Sequence, residues 1–478
     1  MKSKNYSTIT GWLFDVYPSK DNSKMIFWIR LKEDSEDGKK RYIKIEEEWQ
    51  NYFYIVTNNE SKLEQLVQND NILSLISSFD FVKKSETITD TKQSTGLRLT
   101  TLGKKLKLAN LIETMNKDFR LYNVDLLPEQ QYFFEHNIFP LGLFEITYDK
   151  STLVWKFKNN DYVGSTNYFL PYFEKIHIKL KFPKGKIVKI TDEVNSISIV
   201  HYQNNNNNKD RIIDISDKSE KKLLQELIKI VHNIDPDFIF TEDGDSFTFP
   251  YLIYRAKING IELFLSRDNN RSLTTPKRKG NSFVSYGRSY FKPSTIKLFG
   301  RIHIDKSNSF PLRTGSDLEG LFEISSLCRM SLHEASRTSI GRCLTSLHLY
   351  NATKKDLLIP WKPLLNEHPK NMIELFLADR GGLILEPKVG VYEKVAEFDF
   401  VSLYPNIMLK RNVSAETISC ECCFDNPLFK VPELNYHICN KRGLIPESLE
   451  IVLKRRLRYK DLKNETSDPI LKNIYDKR

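Results

Sequence analysis

The chain contains the stretch Val395-Ala396-Glu397-Phe398-Asp399-Phe400-Val401-Ser402-Leu403-Tyr404-Pro405, and its fold can be argued outward from there. The apolar first half predicts a buried strand, which Pro405 ends because proline has no N–H for a strand ladder. An ionised Asp399 buried in such a strand would be costly without a partner. A Mg²⁺ ion at the end of the strand would remove that cost, since Mg²⁺ accepts one or two carboxylates and completes its shell with phosphates. The spacing is equally compatible with an aspartate that caps a turn at a sheet edge.

Length and composition indicate a multidomain globular protein. A chain of 478 residues corresponds to roughly three domains, and 40% hydrophobic with 28% charged residues is typical of folded cores rather than disorder. No stretch approaches the roughly 18 consecutive apolar residues of a membrane-spanning helix, and Met1 to Tyr6 lack the apolar core of a signal peptide. We therefore expect a cytoplasmic protein without a membrane partner.

The net charge of +11 favours a polyanionic partner. Between Ser266 and Arg301 nine Lys and Arg residues face a single acid, Asp268, and five aromatic residues are interleaved with them. Cations for phosphates together with rings for stacking are typical of a nucleic-acid groove. A solvated basic loop is equally consistent with this composition. The triplet at the centre of the stretch gives the candidate DNA contacts, which are Lys277, Arg278 and Lys279.

Four of the six cysteines lie close together in the sequence as Cys420, Cys422, Cys423 and Cys439. Thiolates beside the imidazole of His437 could hold zinc in a tetrahedral site. The spacing is not a pair of C-x-x-C knuckles, so ordinary reduced thiols are the alternative.

Apolar periodicity gives a coarse secondary structure. A hairpin is predicted from Gly11–Pro18 and Lys24–Arg30, and strands from 382–385 and 395–401. Helices are predicted over 63–79, 106–119, 220–233, 324–350 and 446–475.

The run Asp399 to Pro405 resembles the first palm motif of family B DNA polymerases, D-x-x-S-L-Y-P. Upstream, Arg380-Gly381-Gly382 resembles the family's Y-x-G-G element, with Asp379 in the place of the tyrosine. Near the start, Tyr122 to Asp125 resembles the segment that enters the exonuclease fold. The chain looks most like the divergent archaeal branch whose exonuclease is degenerate.

This resemblance implies a multidomain chain of the α+β and α/β classes. Residues 1–135, with a return segment near 330–375, would form the amino-terminal domain, and 136–329 a ribonuclease-H-like exonuclease domain. Residues 376–443 would form a partial palm, and 444–478 the start of the fingers.

The resemblance also implies roles at the palm motif. Asp399 would be catalytic and would bind two Mg²⁺ ions, with the backbone carbonyl of Phe400 completing one coordination sphere. Backbone N–H groups around Ser402 and Leu403 would hold the triphosphate. The ring of Tyr404 would exclude a ribose 2′-hydroxyl by a clash.

Arg456 and Lys460 match the family's R-x-x-x-K pair, which grips the incoming nucleotide. Their spacing places them on one face of a helix, although a solvated basic helix would have the same pattern. The Arg380-Gly381-Gly382 element would contact DNA.

The carboxylates that proofreading needs are missing from the expected positions. Ile176 to Phe182 offers lysines where D-x-E belongs. In the second motif Thr248 replaces the metal-binding aspartate and Asp243 replaces the asparagine, and no Y-x-x-x-D precedes Ala335. A hydroxyl cannot supply the charge that Mg²⁺ requires, so we expect an exonuclease fold without activity.

The sequence ends at Arg478, before the family's K-x-x-x-N-S and D-T-D motifs. We therefore expect an incomplete chain, or one piece of a split enzyme whose partner is a carboxyl-terminal polymerase fragment. The leading hypothesis is a template-directed DNA polymerase without proofreading, acting on a DNA primer–template and deoxynucleoside triphosphates. The alternative is a non-catalytic DNA-binding protein built on an inactive scaffold.

Overall fold

The computed structural model describes most of the chain. The described residues are 7–33, 40–148, 153–157, 165–166, 168–182, 188–203, 210–276, 280–285, 287–313, 315, 317–362, 369–378, 384–431, 434 and 436–478. They divide into two compact units. The first unit comprises Met1–Gln50, Leu127–Ser346 and Tyr459–Arg478, and the second comprises Asn51–Leu126 and Leu347–Arg458. This division is coarser than the four predicted domain ranges, which stay predictions.

Eighteen strands lie within the described residues. They are β1 (Ser7–Pro18), β2 (Lys24–Leu31), β3 (Tyr42–Glu48), β4 (Tyr52–Val56), β5 (Ile76–Lys84), β6 (Ser94–Thr101), β7 (Arg120–Tyr122), β8 (Leu143–Tyr148), β9 (Leu153–Phe157), β10 (Lys175–Lys181), β11 (Ser196–Tyr202), β12 (Arg211–Ile215), β13 (Phe238–Thr241), β14 (Asn281–Ser285), β15 (Arg288–Lys292), β16 (Ile302–Asp305), β17 (Phe429–Lys430) and β18 (His437–Ile438).

Fourteen α-helices accompany these strands in the same described ranges. They are α1 (Ser61–Leu66), α2 (Asp70–Leu73), α3 (Lys105–Met115), α4 (Pro128–His136), α5 (Glu220–Ile234), α6 (Phe249–Ile258), α7 (Phe310–Arg313), α8 (Asp317–Cys328), α9 (Leu332–Ser336), α10 (Ile340–Lys354), α11 (Met372–Ala378), α12 (Leu403–Lys410), α13 (Leu444–Glu465) and α14 (Pro469–Lys477). A π-helical turn, Gly244–Thr248, precedes α6. None of the helices described is both long and apolar enough to cross a bilayer.

The first unit contains two five-stranded sheets. One has the order β3-β2-β1-β8-β9 and is antiparallel throughout. The other has the order β12-β11-β10-β13-β16. Its first three strands are antiparallel, whereas β13 and β16 run parallel to β10. Parallel strands are joined by a crossover connection, which usually contains a helix. Here α5 and α6 lie in these connections, and they bury side chains such as Leu227 and Leu252 in the core against the sheet. The mixed sheet agrees with the predicted ribonuclease-H-like fold.

The second unit is built on a smaller antiparallel sheet of order β5-β6-β4-β7. Its core contains Phe53, Leu97 and Ile112, all fully buried. The rest of the unit carries α12, the β17–β18 pair and most of α13.

Several predicted elements are confirmed, namely the first hairpin and the helices near 106–119 and 220–233. The helix predicted over 63–79 is wrong, because Ile76–Lys84 pairs with β6 as a strand after two short helices. The helix predicted over 324–350 falls on three helices, α8, α9 and α10, and the first of the two breaks lies where Arg329 takes the left-handed φ of 49°. The last predicted helix divides at Asp468-Pro469, since a residue before proline is disfavoured in a helix.

The strand predicted over 395–401 is also wrong. Residues 384–401 form no regular element and are exposed along their whole length. An isolated apolar run gains strand structure only when another strand satisfies its N–H and C=O groups, and no described strand pairs with this one. Of the predicted strand at 382–385, Gly382 and Leu383 lie outside the described residues.

Candidate functional site

The aspartate at the centre of the palm-like segment is exposed to solvent. Asp399 lies between Phe398 and Phe400, whose side chains are 92% and 74% exposed. One Asp399 carboxylate oxygen accepts the N–H of Phe400 at 2.8 Å. The predicted burial of Asp399 is therefore wrong, and the desolvation argument for a cation does not apply to this conformation.

A sharp turn at Ser402 starts helix α12. Ser402 has a left-handed φ of 51°, which costs a residue with a Cβ roughly 1–2 kcal/mol. Asn406 stabilises the turn by donating its side-chain amide to the carbonyls of Val401 at 2.8 Å and Ser402 at 3.2 Å. The Ser402 hydroxyl does not cap the helix, so the first N–H groups of α12 are left for another acceptor.

Helix α13 brings a guanidinium to this turn. Arg456 Nη1 donates to Ser402 Oγ at 2.6 Å. The helix predicted for Arg456 and Lys460 is confirmed, and both side chains are exposed one turn apart on it. Two motifs that are 54 positions apart in the sequence thus meet at one contact.

The other predicted residues of this region divide into two groups. The side chains of Leu403 and Tyr404 are exposed, by 41% and 74% respectively. The predicted DNA contacts Arg380-Gly381-Gly382 and Lys277-Arg278-Lys279 lie outside the described residues.

The exonuclease-like sheet carries neutral or basic side chains where the first pair of acids is expected. His177 on β10 is buried, and Lys179, two residues on, is exposed. Burial lowers the pKa of His177 to about 4, helped by the charges of Lys306 and Lys179. The imidazole is therefore neutral at neutral pH. Thr248, which replaces the motif aspartate, donates its hydroxyl to the carbonyl of Glu242 at 3.1 Å.

The buried acids near this sheet are engaged in structural contacts. Asp245 accepts two bonds from Arg337, at 2.9 and 3.3 Å, one from Asn308 at 2.8 Å and one from the N–H of Ile296 at 2.9 Å. Burial acts to raise the pKa of Asp245, but the charge and hydrogen bonds of Arg337 together with the N–H of Ile296 hold that pKa below its usual value. Burial raises the pKa of Asp305, which accepts the N–H of Asp245 at 2.8 Å.

Sequence reasoning missed the Asp245–Arg337 pair. The two residues are 92 positions apart, and the spacing gave no sign that a basic residue beyond the exonuclease segment reaches back to the second motif. The only local signal is the second acid in Asp243-Gly244-Asp245, which has no place in the motif's metal set.

A cavity of about 590 Å³ opens beside this pair in the first unit. Arg337, Arg342 and Lys292 contribute cations to its wall, and Tyr290 and Phe291 of β15 contribute rings. The two rings are 45% and 67% exposed. The basic, aromatic stretch predicted from the sequence therefore forms part of a concave surface.

The four clustered cysteines meet in the second unit. The sulfur atoms of Cys420, Cys422, Cys423 and Cys439 all lie within 4.8 Å of one another. In the described part of the chain, this is the single group of three or more His, Cys, Asp or Glu side chains with metal-binding spacing.

Comparisons with known proteins agree with these features. Residues 119–311 match the exonuclease domain model of DNA polymerase family B, and residues 328–478 match the DNA polymerase family B model. The chain is 28% identical to DNA polymerase 1 of Pyrococcus abyssi over 318 residues, which cover 54% of this chain and 39% of that protein. It is 27% identical to DNA polymerase 2 of Saccharolobus solfataricus over 309 residues, or 63% of this chain and 46% of that protein.

The fold is similar to a solved structure, the family B DNA polymerase of Pyrobaculum calidifontis. The TM-score is 0.70 at 16% identity, and the match covers 98% of this chain and 66% of that one. The chain thus spans less than half the length of the two curated relatives. Two models of one family, the archaeal relatives and the shared fold all lead to the same conclusion, that the chain belongs to the family B DNA polymerases.

Proposed function

We propose that this chain carries one part of the active site of a DNA-directed DNA polymerase, which transfers a deoxynucleotide to a primer 3′-hydroxyl. The observation that carries the proposal is the 2.6 Å bond from Arg456 to Ser402. It joins the palm motif and the basic helix, which the family resemblance connects with the same incoming nucleotide.

The nucleotide triphosphate would bind at the start of α12. The N–H groups of Leu403 and Tyr404 lie in the first turn of that helix, and the N-terminus of a helix favours anions. Arg456 already reaches this turn, and Lys460 follows one turn later on α13. Three or four donors converging on phosphate oxygens are the arrangement that the proposal requires.

The described residues fit a part of a Mg²⁺ site and not the whole of one. Asp399 supplies a carboxylate and Phe400 a backbone carbonyl, and neither belongs to a group of three or more ligating side chains among the described residues. When bound, Mg²⁺ would lower the pKa of the primer hydroxyl and neutralise charge on the triphosphate. The remaining ligands must be phosphate oxygens or groups other than the described residues. Asp399 would hold and orient the ion.

Primer extension tests the role of Asp399. The chain is assayed with a polypeptide that supplies the K-x-x-x-N-S and D-T-D motifs, on a primer–template with all four deoxynucleotides. Asp399→Asn should lower extension by at least about 100-fold, since loss of even an outer-shell partner of a metal ligand costs 10- to 100-fold. Glu397→Gln is the matched control, two residues away on the same exposed segment, and should extend like wild type. Equal extension by Asp399→Asn and wild type would overturn the proposal.

Tyr404 gives a test of sugar selection. We propose that its exposed ring lies beneath the deoxyribose and leaves no room for a 2′-hydroxyl. Tyr404→Ala should then incorporate ribonucleotides at least about tenfold more readily relative to deoxyribonucleotides, a change of about 1.4 kcal/mol in selectivity. An unchanged ratio in single-nucleotide extension would remove Tyr404 from this role.

We also propose that the exonuclease-like domain has no proofreading activity. The support is the replacement of acids by His177, Lys179 and Thr248, together with the engagement of Asp245 by Arg337. Purified protein should release no nucleotides from a labelled single-stranded 3′ end in Mg²⁺. Degradation that a chelator abolishes and Asp243→Asn removes would overturn this part of the proposal.

A second candidate function, DNA binding without catalysis, is favoured by the cavity at β15. Phe291 and Tyr290 lie there beside Lys292, Arg337 and Arg342, a combination that suits single strands. Loss of one stacking ring costs about 1–3 kcal/mol, so Phe291→Ala should weaken binding of a single-stranded oligonucleotide about 5- to 150-fold. Val284→Ala, on the exposed strand β14 of the same hairpin, is the control.

Salt dependence tests the phosphate contacts that both functions require. Affinity for the oligonucleotide should fall linearly on a log–log plot with salt, because each neutralised phosphate releases counterions. Binding that depends on Phe291, with no extension under any complementation, would favour the second candidate. Binding that salt does not affect would exclude both.

A further inference from the structure

We infer that Cys420, Cys422, Cys423 and Cys439 form a tetrathiolate site for one zinc ion, which fixes the connection between helices α12 and α13. The inference goes beyond the polymerase function and does not depend on it, because the site contains none of the residues proposed to act on nucleotide or DNA.

The four sulfur atoms lie close enough together to bind one ion. Four thiolates at about 2.3 Å from zinc lie about 3.8 Å from one another. The Cys422 and Cys439 sulfurs are 3.5 Å apart, those of Cys420 and Cys423 are 2.8 Å apart, and no pair among the four exceeds 4.8 Å. A cluster of several irons and sulfides would have to occupy the space between the thiolates and needs them farther apart. All four cysteines are free thiols.

The backbone presents these sulfurs from two sides. Cys420, Cys422 and Cys423 lie on a short turn around Glu421–Cys423, and Cys439 follows β18. The N–H of Cys439 donates to the carbonyl of Thr417 at 2.8 Å, which fastens the two arms together. Cys420 and Cys439 are only 6% and 0% exposed, whereas Cys423 is half-buried and Cys422 is exposed, so the cluster is shielded from water on one side.

Hydrogen bonds around the sulfurs suit thiolate ligands. The backbone N–H of Lys441 donates to Cys439 Sγ at 3.4 Å, and the backbone of Asn440 bonds to Cys423. N–H groups that donate to the ligating sulfur atoms orient them and reduce their negative charge.

His437 is a positioning residue rather than a ligand. Its Nε2 donates to the carbonyl of Cys420 at 2.8 Å and is 3.9 Å from the sulfur of that residue. That contact fixes the turn that carries three of the four sulfurs. With the imidazole engaged, the coordination set consists of sulfur alone, which suits zinc among the divalent ions.

The site is connected directly to the two helices of the candidate active site. Buried Asn412, which follows α12, donates its side-chain amide to the carbonyls of Cys439 at 3.0 Å and Lys441 at 2.8 Å. Its side-chain oxygen accepts the N–H of Gly443, immediately before α13, at 2.8 Å. A rigid cysteine cluster therefore sets where α13 starts with respect to α12, and with it the approach of Arg456 to Ser402.

Metal analysis is the first test. The full chain, purified under reducing conditions, should contain one zinc per chain by mass spectrometry. Exchange with Co²⁺ should give the charge-transfer absorption of a tetrahedral sulfur-ligated ion. Reduced protein that contains no zinc and gives no cobalt spectrum would overturn the inference. So would two disulfides found by alkylation without reductant, or a multi-iron cluster with its own absorption.

A cysteine variant is the second test. Cys422→Ser should lose its zinc on gel filtration against a chelator. Cys343→Ser, a buried free thiol of the first unit, should retain one equivalent. If Cys422→Ser does not fold, titration of the wild type with a mercurial gives the same information, because one zinc should be released as four of the six thiols react. Zinc retained after those four thiols have reacted would overturn the assignment.

The structural role has a separate readout. Removal of zinc from the wild type should raise amide exchange at Ser419 and Cys439 at least tenfold, since their N–H groups hold the arms of the loop together. Exchange in β4 and β6 of the same unit should not change. Unaltered exchange in the loop would mean that a bound ion does not organise this connection.

Discussion

Two acidic residues of this chain lie in opposite environments. Asp245, near the exonuclease-like sheet, is buried and paired, whereas Asp399, in the palm-like segment, is exposed. Asp245 is enclosed by Arg337, Asn308 and a backbone N–H, all supplied by the same unit. Asp399 faces solvent and bonds within the described structure to its neighbouring N–H. The first arrangement stabilises the fold, whereas the second leaves the carboxylate exposed to a ligand.

This difference in burial determines whether each carboxylate can bind a cation. A carboxylate paired with a buried arginine cannot exchange that partner for a cation, because the arginine would then be a buried charge without a partner. A carboxylate on an exposed segment is free to bind a cation but contributes little to folding. We therefore expect substitutions in the first region to alter stability and substitutions in the second to alter function.

The largest expected effect is at Arg337. Arg337→Ala leaves Asp245 buried without its charge partner, which should lower the free energy of unfolding by about 3–5 kcal/mol. Arg342→Ala, an exposed guanidinium on the same cavity, should change it by less than about 0.5 kcal/mol. Urea denaturation monitored by circular dichroism measures both. Equal losses of unfolding free energy in the two variants would show that the buried pair does not stabilise the fold.

The next effect is a pH dependence at Asp15. Burial raises the pKa of Asp15 to about 7, although it accepts the N–H groups of Gly300 and Val16. The folded protein therefore keeps a proton that the unfolded chain releases above about pH 4, and the stabilisation is lost as pH rises to about 7. At about 1.4 kcal/mol per pKa unit the loss is at most about 4 kcal/mol. Denaturation at several pH values should show a flatter profile for Asp15→Asn; an unchanged slope would contradict this assignment.

A smaller effect is expected from the close approach of backbone at Gly244. A Cβ there would lie 1.9 Å from Thr241 Oγ1 and 2.6 Å from His303 Nε2. These two groups share a hydrogen bond of 2.9 Å. Gly244→Ala should cost about 1–3 kcal/mol through overpacking. Gly341→Ala, with open space at its Cβ and a helical backbone, should be neutral or stabilising by up to about 1 kcal/mol, and the reverse order of the two variants would contradict the packing argument.

The smallest effect on stability is expected in the palm-like region. Asp399→Asn and Arg456→Ala should each change the free energy of unfolding by less than about 0.5 kcal/mol, because both side chains are exposed. Arg456→Ala should nevertheless weaken binding of a deoxynucleoside triphosphate at least about tenfold, through loss of a charge-assisted contact. Lys454→Ala on the same helix, which pairs with Glu450, is the control in fluorescence titration. If Arg456→Ala were destabilised but bound the deoxynucleoside triphosphate normally, this region would serve stability rather than function, contrary to the comparison above.

The sequence predicts helices well where apolar residues recur at regular helical spacing, as in α3 and α5. It predicts the strand at 395–401 wrongly, because the apolar run indicates burial but cannot indicate that a pairing strand is present among the described residues. The sequence indicates the four cysteines as a candidate group, since three of them lie within four positions, and their sulfur atoms meet in the structure. The Asp245–Arg337 pair is beyond sequence reasoning, because it depends on a helix returning over the sheet after 92 positions.

The position of Lys179 on β10 has a consequence for the electrostatic field at the end of that strand. A sheet edge lined by carboxylates repels the phosphodiester groups of nucleic acid unless divalent cations screen the carboxylates. Nucleic acid therefore binds such an edge only when those cations are present. Here an ammonium group and a neutral imidazole occupy that edge. A phosphodiester that reached Lys179 would therefore meet a positive charge at a position where the resemblance to the family leads us to expect a carboxylate.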